Sequence, residues 1–106
     1  MKTISINGKD FILKYTLRAF FIFETLTGYP FQFGKLIDEY ILFYSFLMAN
    51  NKDSFDIPFD EFIELCGEDL QHFNLFKEFL MNEITLRSQI AEKDVKKKTT
   101  KRKAKQ

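Results

Sequence analysis

The chain has 106 residues, enough to build one hydrophobic core and too few for two. Its apolar fraction of 45% is ordinary for a globular protein, but 14 Phe and 4 Tyr with no Trp form an unusual aromatic set. The net charge of +1 conceals a segregation that excludes a simple basic nucleic-acid-binding domain: residues 93–106 carry eight bases against Asp94, net +7, while residues 1–92 carry 8 bases against 14 acids, net −6.

The first predicted element is a β-hairpin over residues 2–15. Lys2–Ile6 and Asp10–Tyr15 flank Asn7-Gly8, the dipeptide that best tolerates the positive φ angles of a type I′ turn. A two-residue loop there sets Ile6 opposite Lys9, Ile4 opposite Phe11 and Lys2 opposite Leu13. Ile4, Ile6, Phe11 and Leu13 then share one face, and Thr3, Ser5, Asp10, Ile12 and Lys14 take the other. A lone hairpin is marginal in water, so the apolar face must pack on helices.

Four helices follow in the pattern. The first is predicted over about 17–27, with Thr16 as N-cap, Gly28 at the left-handed C′ position and Pro30 preventing continuation. The second, about 35–50, carries two apolar stripes: Leu36, Tyr40, Phe43 and Leu47, then Ile37, Ile41, Tyr44 and Met48. Only Asp38, Glu39 and Ser45 are clearly polar, and a helix apolar nearly all round is buried by its own fold or by another chain. Asn50 to Ser54 reads as a loop. The third helix, about 58–66, has Pro58 in its first turn and Asp60, Glu61 and Glu64 where the helix dipole favours acids, with Gly67 ending or bending it.

The fourth helix is predicted over about 68–91. Leu70, Phe73, Phe76, Leu80, Met81 and Ile84 gather on one side as core. Leu75, Phe79, Leu86 and Ile90 gather on another, a stripe longer than a small fold needs. With Tyr44 and Met48 on the second helix, these four residues are the candidate partner-binding surface, since helix-in-groove contacts are read at i, i+3, i+4 and i+7. Past Glu92 the apolar pattern stops, so residues 1–92 form the single domain and 93–106 a basic tail expected to be disordered alone. Lys96, Lys97, Lys98, Lys101, Arg102 and Lys103 give that tail three readings: a solubilising end, an electrostatic arm for nucleic acid, or a dock for an acidic protein. It lacks interleaved aromatics for base stacking. The fold class is therefore α+β, mostly α.

No catalytic constellation emerges. One His and one Cys are too few for the usual zinc sites, and no phosphate-cradling glycine motif occurs. His72 and Cys66 are separated by the predicted break at Gly67 and read as an imidazole at the surface and a buried thiol. Carboxylates such as Glu61 and Glu64 read as solvated helix-start charge. No cofactor and no metal site is expected. The single cysteine suits a reducing cytosol. No signal-type stretch opens the chain, and Tyr40–Ala49 falls far short of the roughly 20 apolar residues of a membrane helix. A cytoplasmic protein is expected.

The order of signals resembles a known family. A hairpin around Ile6-Asn7-Gly8-Lys9 leads into Leu13-Lys14-Tyr15-Thr16-Leu17-Arg18-Ala19, then a helix carrying Glu24 and closing on Leu26-Thr27-Gly28. A long apolar helix, a polar loop, the short Phe59-Asp60-Glu61-Phe62 helix and a final amphipathic helix complete the set. Over residues 2–91 this resembles the small tail assembly chaperones of siphophages and related prophages. The resemblance implies a non-enzymatic protein of virion morphogenesis. Such a protein acts in the host cytoplasm, binds the long apolar tape measure protein, helps recruit tail tube subunits and is absent from the mature virion. Surplus Phe, Leu and Met would cover the partner's apolar stripes reversibly. Self-association is also expected of such surface.

Many members of that family exist in two forms through ribosomal frameshifting. Lys96-Lys97-Lys98 motivates the hypothesis that an A-rich slippery run is encoded here; codons without a slippery heptamer, or no overlapping frame, would remove it. The rival reading, from another class, is a small nucleic-acid-associated protein of a mobile element that binds through residues 93–106. Salt dependence separates the two.

Overall fold

The structure, a computed structural model, describes the backbone of residues 1–103 and the side chains of residues 1–88. The chain order is β1 (Lys2–Ile6), β2 (Lys9–Leu13), α1 (Leu17–Thr27), α2 (Leu36–Asn50), α3 (Phe59–Glu68) and α4 (Gln71–Lys103). Among the described residues no helix is long and apolar enough to cross a membrane.

The hairpin has the register that turn chemistry demands. Asn7 and Gly8 take φ angles of 55° and 79°, and Ile6 pairs with Lys9, Ile4 with Phe11 and Lys2 with Leu13. Ile4, Ile6, Phe11 and Leu13 are sealed against the helices. The strand on the far side of the turn is shorter than predicted, ending at Leu13.

Helix α1 has the predicted bounds, but its N-cap works differently. Thr16 is extended at φ −137° and ψ 147°, yet its hydroxyl makes no cap hydrogen bond. It is buried without a partner, so the backbone alone sets the helix start. The other end follows the expectation: Gly28 takes φ 84° and donates its N–H to the Glu24 carbonyl at 2.7 Å.

Helix α2 begins at Leu36, one residue later than predicted, and is the hub: α1, β2, α3 and α4 all pack on it. The polar residues Asp38, Glu39 and Ser45 are all buried, and two of them are acids. The Tyr29 hydroxyl donates to Asp38 Oδ1 at 2.7 Å, and Lys77 Nζ forms an ion pair with Glu39. The Gly34 N–H also donates to Glu39, at 3.4 Å. Both acids sit in the first turn, where the helix dipole stabilises them.

Gly67 does not end α3. The helix runs on to Glu68 and closes where the Asp69 N–H donates to the Leu65 carbonyl at 3.2 Å. A lone helical glycine costs only about 1 kcal/mol, less than a break would. Asp69 then opens α4, its Oδ1 accepting from the Gln71 N–H at 3.0 Å, three residues later than predicted. Helix α4 continues to Lys103, and the Lys, Arg and Glu of its later part are good helix formers. The helix therefore runs past its predicted end near residue 91 and takes in residues 93–103 of the segment expected to be disordered alone; the side chains of that segment lie outside the described residues.

The core is built of phenylalanine. Phe43 of α2 stacks on Phe76 of α4 with centroids 4.6 Å apart and meets Phe62 of α3 edge-on at 5.0 Å. Phe46, one turn on, takes Tyr15, Phe20 and Phe76 around its ring at 5.4–6.1 Å. Such pairs add about 0.5–1.5 kcal/mol each beyond the area they bury.

Candidate partner-binding groove

The buried face of α2 is neither of its two predicted stripes. Leu42, Phe43, Phe46 and Leu47 are sealed inside, whereas Leu36 and Ile37 stand 66% and 56% exposed. The reason lies in α3, whose spacing turns Phe62 and Cys66 inward and leaves Phe59 and Ile63 half-buried beside them. Helices α2 and α3 come together through Phe43–Phe62 and splay apart on the outer side. The gap is a groove of about 730 Å³ lined chiefly by Leu36, Ile37, Tyr40, Phe59 and Ile63, with Asp60 and Glu64 at its edge. The Tyr40 ring in its floor is fixed by stacking on Phe73, 4.1 Å between centroids and 15° between planes.

A second hollow of about 280 Å³, lined by Leu26, Ile41, Tyr44 and Phe59, begins on the other side of the Phe59 ring. Phe59 lines both hollows, and between them they expose apolar side chains of α1, α2 and α3. Their chemistry is that of a seat for an apolar ridge.

Asp60 and Glu64 are the charged residues that line the larger hollow among the described residues, and they belong to an acidic stretch of sequence. From Asp53 to Phe76 there are seven acids and no Lys or Arg. All seven, Asp53, Asp56, Asp60, Glu61, Glu64, Glu68 and Asp69, are exposed. Cys66, beneath the groove, has its thiol pushed up to about 11 by burial. It is a protonated thiol at neutral pH, without the thiolate character a nucleophile needs. Burial also raises the Tyr40 hydroxyl, with a smaller contribution from Cys66, and burial raises Tyr44. His72 sets Nε2 3.9 Å from Asp69. Among the described residues no cluster of three His, Cys, Asp or Glu side chains could hold a metal ion.

The residues predicted to bind a partner do not share one open face. Phe79 is 6% exposed and edge-on to Phe46 at 6.2 Å, so it belongs to the core. Leu75 is half-buried against that core, and Leu86 is 54% exposed. Ile90 and the tail residues Lys96, Lys97, Lys98, Lys101, Arg102 and Lys103 lie outside the described side chains. The stripe on α4 divides because β1, α2 and α3 all pack on that helix, which widens its buried arc beyond a single row. On α2, Met48 is half-buried against the core. Tyr44 packs its ring 5.2 Å from those of Phe55, Phe59 and Phe62 and donates its hydroxyl to the Ile57 carbonyl, while one flank lines the smaller hollow.

Leu36, Ile37, Tyr40, Phe59 and Ile63 are the groove residues that sequence reasoning did not single out. The signal for Leu36, Ile37 and Tyr40 was the all-round apolarity of α2, which needs more cover than a chain of this size supplies. No protein-family model, no curated protein and no solved structure matches this chain.

Proposed function

We propose that this chain is a non-catalytic tail assembly chaperone of a long-tailed phage or prophage. In this reading it works in the host cytoplasm, holds the tape measure protein in soluble form and helps recruit tail tube subunits. The observation that carries the reading is the open groove between α2 and α3, with Leu36 and Ile37 more than half exposed at its mouth. Contiguous exposed apolar surface of this kind marks sites of protein association. A long helical partner with an unsheathed apolar stripe is the sort of ridge such a groove fits. The elements also follow the order that the sequence resemblance implies, from hairpin to final helix.

The test is co-expression with a tape measure protein and its tube protein, scored by the soluble fraction of the tape measure. The wild-type chain should raise that fraction, and Leu36→Ser with Ile37→Ser should lose the effect while the chain itself stays folded. A tape measure equally soluble with and without the chain overturns the reading.

The eight bases of residues 93–106 favour a second reading, nucleic-acid binding through a basic arm. Binding of that kind weakens steeply with salt and is lost when the tail lysines are replaced by Gln; binding through the groove survives both.

A further inference from the structure

We propose that the α2–α3 groove takes an amphipathic helix whose apolar stripe is flanked by lysine or arginine. The inference rests on the chaperone reading for its biological partner, and it names the chemistry that partner must carry.

The argument begins with what helix physics leaves unexplained. Asp60 and Glu61 lie in the first turn of α3, where the dipole favours them, and Asp69 is occupied in opening α4. Glu64, which the spacing grouped with the helix-start acids, lies beyond the first turn, so neither it nor Glu68 has such a reason. Glu68 is the last residue of α3, where a negative charge is opposed by the dipole. Asp60 with Glu64, Glu61 with Glu64 and Glu64 with Glu68 are like-charged pairs at helical spacings of three or four, each mildly destabilising in the free protein. None of these side chains has a basic partner among the described residues.

The repulsion stands at one place, beside the apolar lining. Asp60 and Glu64 are themselves lining residues, next to Phe59 and Ile63. Among the described residues no base lines the groove, and Lys77, which is near the start of α2, is already paired with Glu39. A helix that lays Leu or Phe side chains across Tyr40 and Ile63 brings its flanking positions over α3. Lys or Arg there meets unpaired acids, relieves their mutual repulsion and sets the direction in which the helix lies. Glu or Asp there meets like charge, the device by which an interface rejects wrong partners. The apolar floor supplies affinity, and the acidic edge supplies selection.

The test uses the full chain and two designed helical peptides with the same apolar stripe, one flanked by Lys and one by Glu, followed by fluorescence anisotropy. The Lys-flanked peptide should bind at least about ten-fold more tightly at low salt, and the ratio should shrink as salt rises. Asp60→Asn with Glu64→Gln should shrink it as well, with the circular dichroism of the chain unchanged. Leu36→Ser with Ile37→Ser should weaken both peptides.

Equal affinities, or a Lys preference that persists when the apolar stripe is scrambled, overturn the proposal. So does a site already filled by the chain's own tail, which would show as binding that appears only after Lys96, Lys97 and Lys98 are replaced by Gln. The chaperone reading fails separately. A tape measure held through Leu36 and Ile37 but indifferent to Asp60→Asn and Glu64→Gln sinks the inference alone. A chain that selects the Lys-flanked peptide and leaves the tape measure insoluble sinks the chaperone reading alone.

Discussion

The side chain of Asn51 pairs with the backbone of Ile12 as a neighbouring strand would: its Oδ1 accepts from the Ile12 N–H at 2.9 Å and its Nδ2 donates to the Ile12 carbonyl at 3.0 Å. Ile12 is opposite Thr3 in the hairpin. Counting outward from a two-residue loop, that pair is one whose backbone groups point away from each other. The open edge of β2 therefore presents one N–H and one carbonyl at Ile12, and Asn51, just past α2, satisfies both. A third bond, from Nδ2 to the Leu47 carbonyl at 3.0 Å, holds the amide in place.

Replacing Asn51 by Ala should cost about 1–3 kcal/mol, since it strands groups that are partly buried. Asn51→Asp should be at least as damaging at neutral pH, because a carboxylate would face the carbonyls of Ile12 and Leu47. Acidification protonates that carboxylate and returns a donor, so the Asp variant should recover part of its loss at low pH while the Ala variant does not. Denaturant titration at two pH values checks the sign, and faster amide exchange at Ile12 locates the effect.

Phe79 and Leu86 separate core from surface on α4. Phe79→Ala should cost about 3 kcal/mol through loss of burial and the cavity left against Phe46. Leu86→Ser should stay within about 0.5 kcal/mol of wild type, as surface changes do. Urea midpoints for the two variants decide the matter, and equal costs would mean that the division of the stripe is misplaced.

The groove predicts a pattern opposite to that of a core. Leu36→Ser and Ile37→Ser should leave the melting temperature nearly unchanged. They should also reduce both the binding of an apolar dye and any concentration-dependent self-association, because the surface they remove is exposed in the free chain. Sedimentation across a range of concentrations, with dye fluorescence alongside, is the measurement.

Cys66 gives the protein a pH dependence on the alkaline side. Its thiol is raised from an ordinary value of 9.0 to about 11 by burial, so the folded state binds a proton that the unfolded state releases first. That share of stability is complete below about pH 9 and is lost as the pH rises towards 11. Tyr40 and Tyr44, also raised by burial, add to the loss in the upper part of the window. The melting temperature should therefore fall above pH 9, and more gently in Cys66→Ala. The thiol should also resist alkylation at neutral pH until the chain unfolds. Rapid labelling of the native protein would contradict the burial.

Much of the fold was legible in the residues because local chemistry and global packing agree there. Asn7-Gly8 dictates the turn, the turn dictates the register, and the register puts Ile4, Ile6, Phe11 and Leu13 on one face. Gly28 ends α1 for an equally local reason. Gly67 misled because a glycine weakens a helix without ending it, and Phe62 and Cys66, both buried ahead of it, anchor α3 to the core. Phe79 misled for a different reason. Periodicity reports that a side chain is on a helix face but not how many neighbours press on that face, and α4 serves three of them. The groove needed the splay between α2 and α3, a tertiary distance that no spacing along the chain encodes.

The stack of Tyr40 on Phe73 has one practical corollary. The chain holds no indole, so its ultraviolet emission comes mainly from four phenols, and one of these sits in the floor of the seat. A visiting peptide that carries a single tryptophan would glow against a nearly dark background, and Tyr40 would hand it excitation energy on arrival. Occupancy of the groove could thus be followed optically with no dye attached to either molecule.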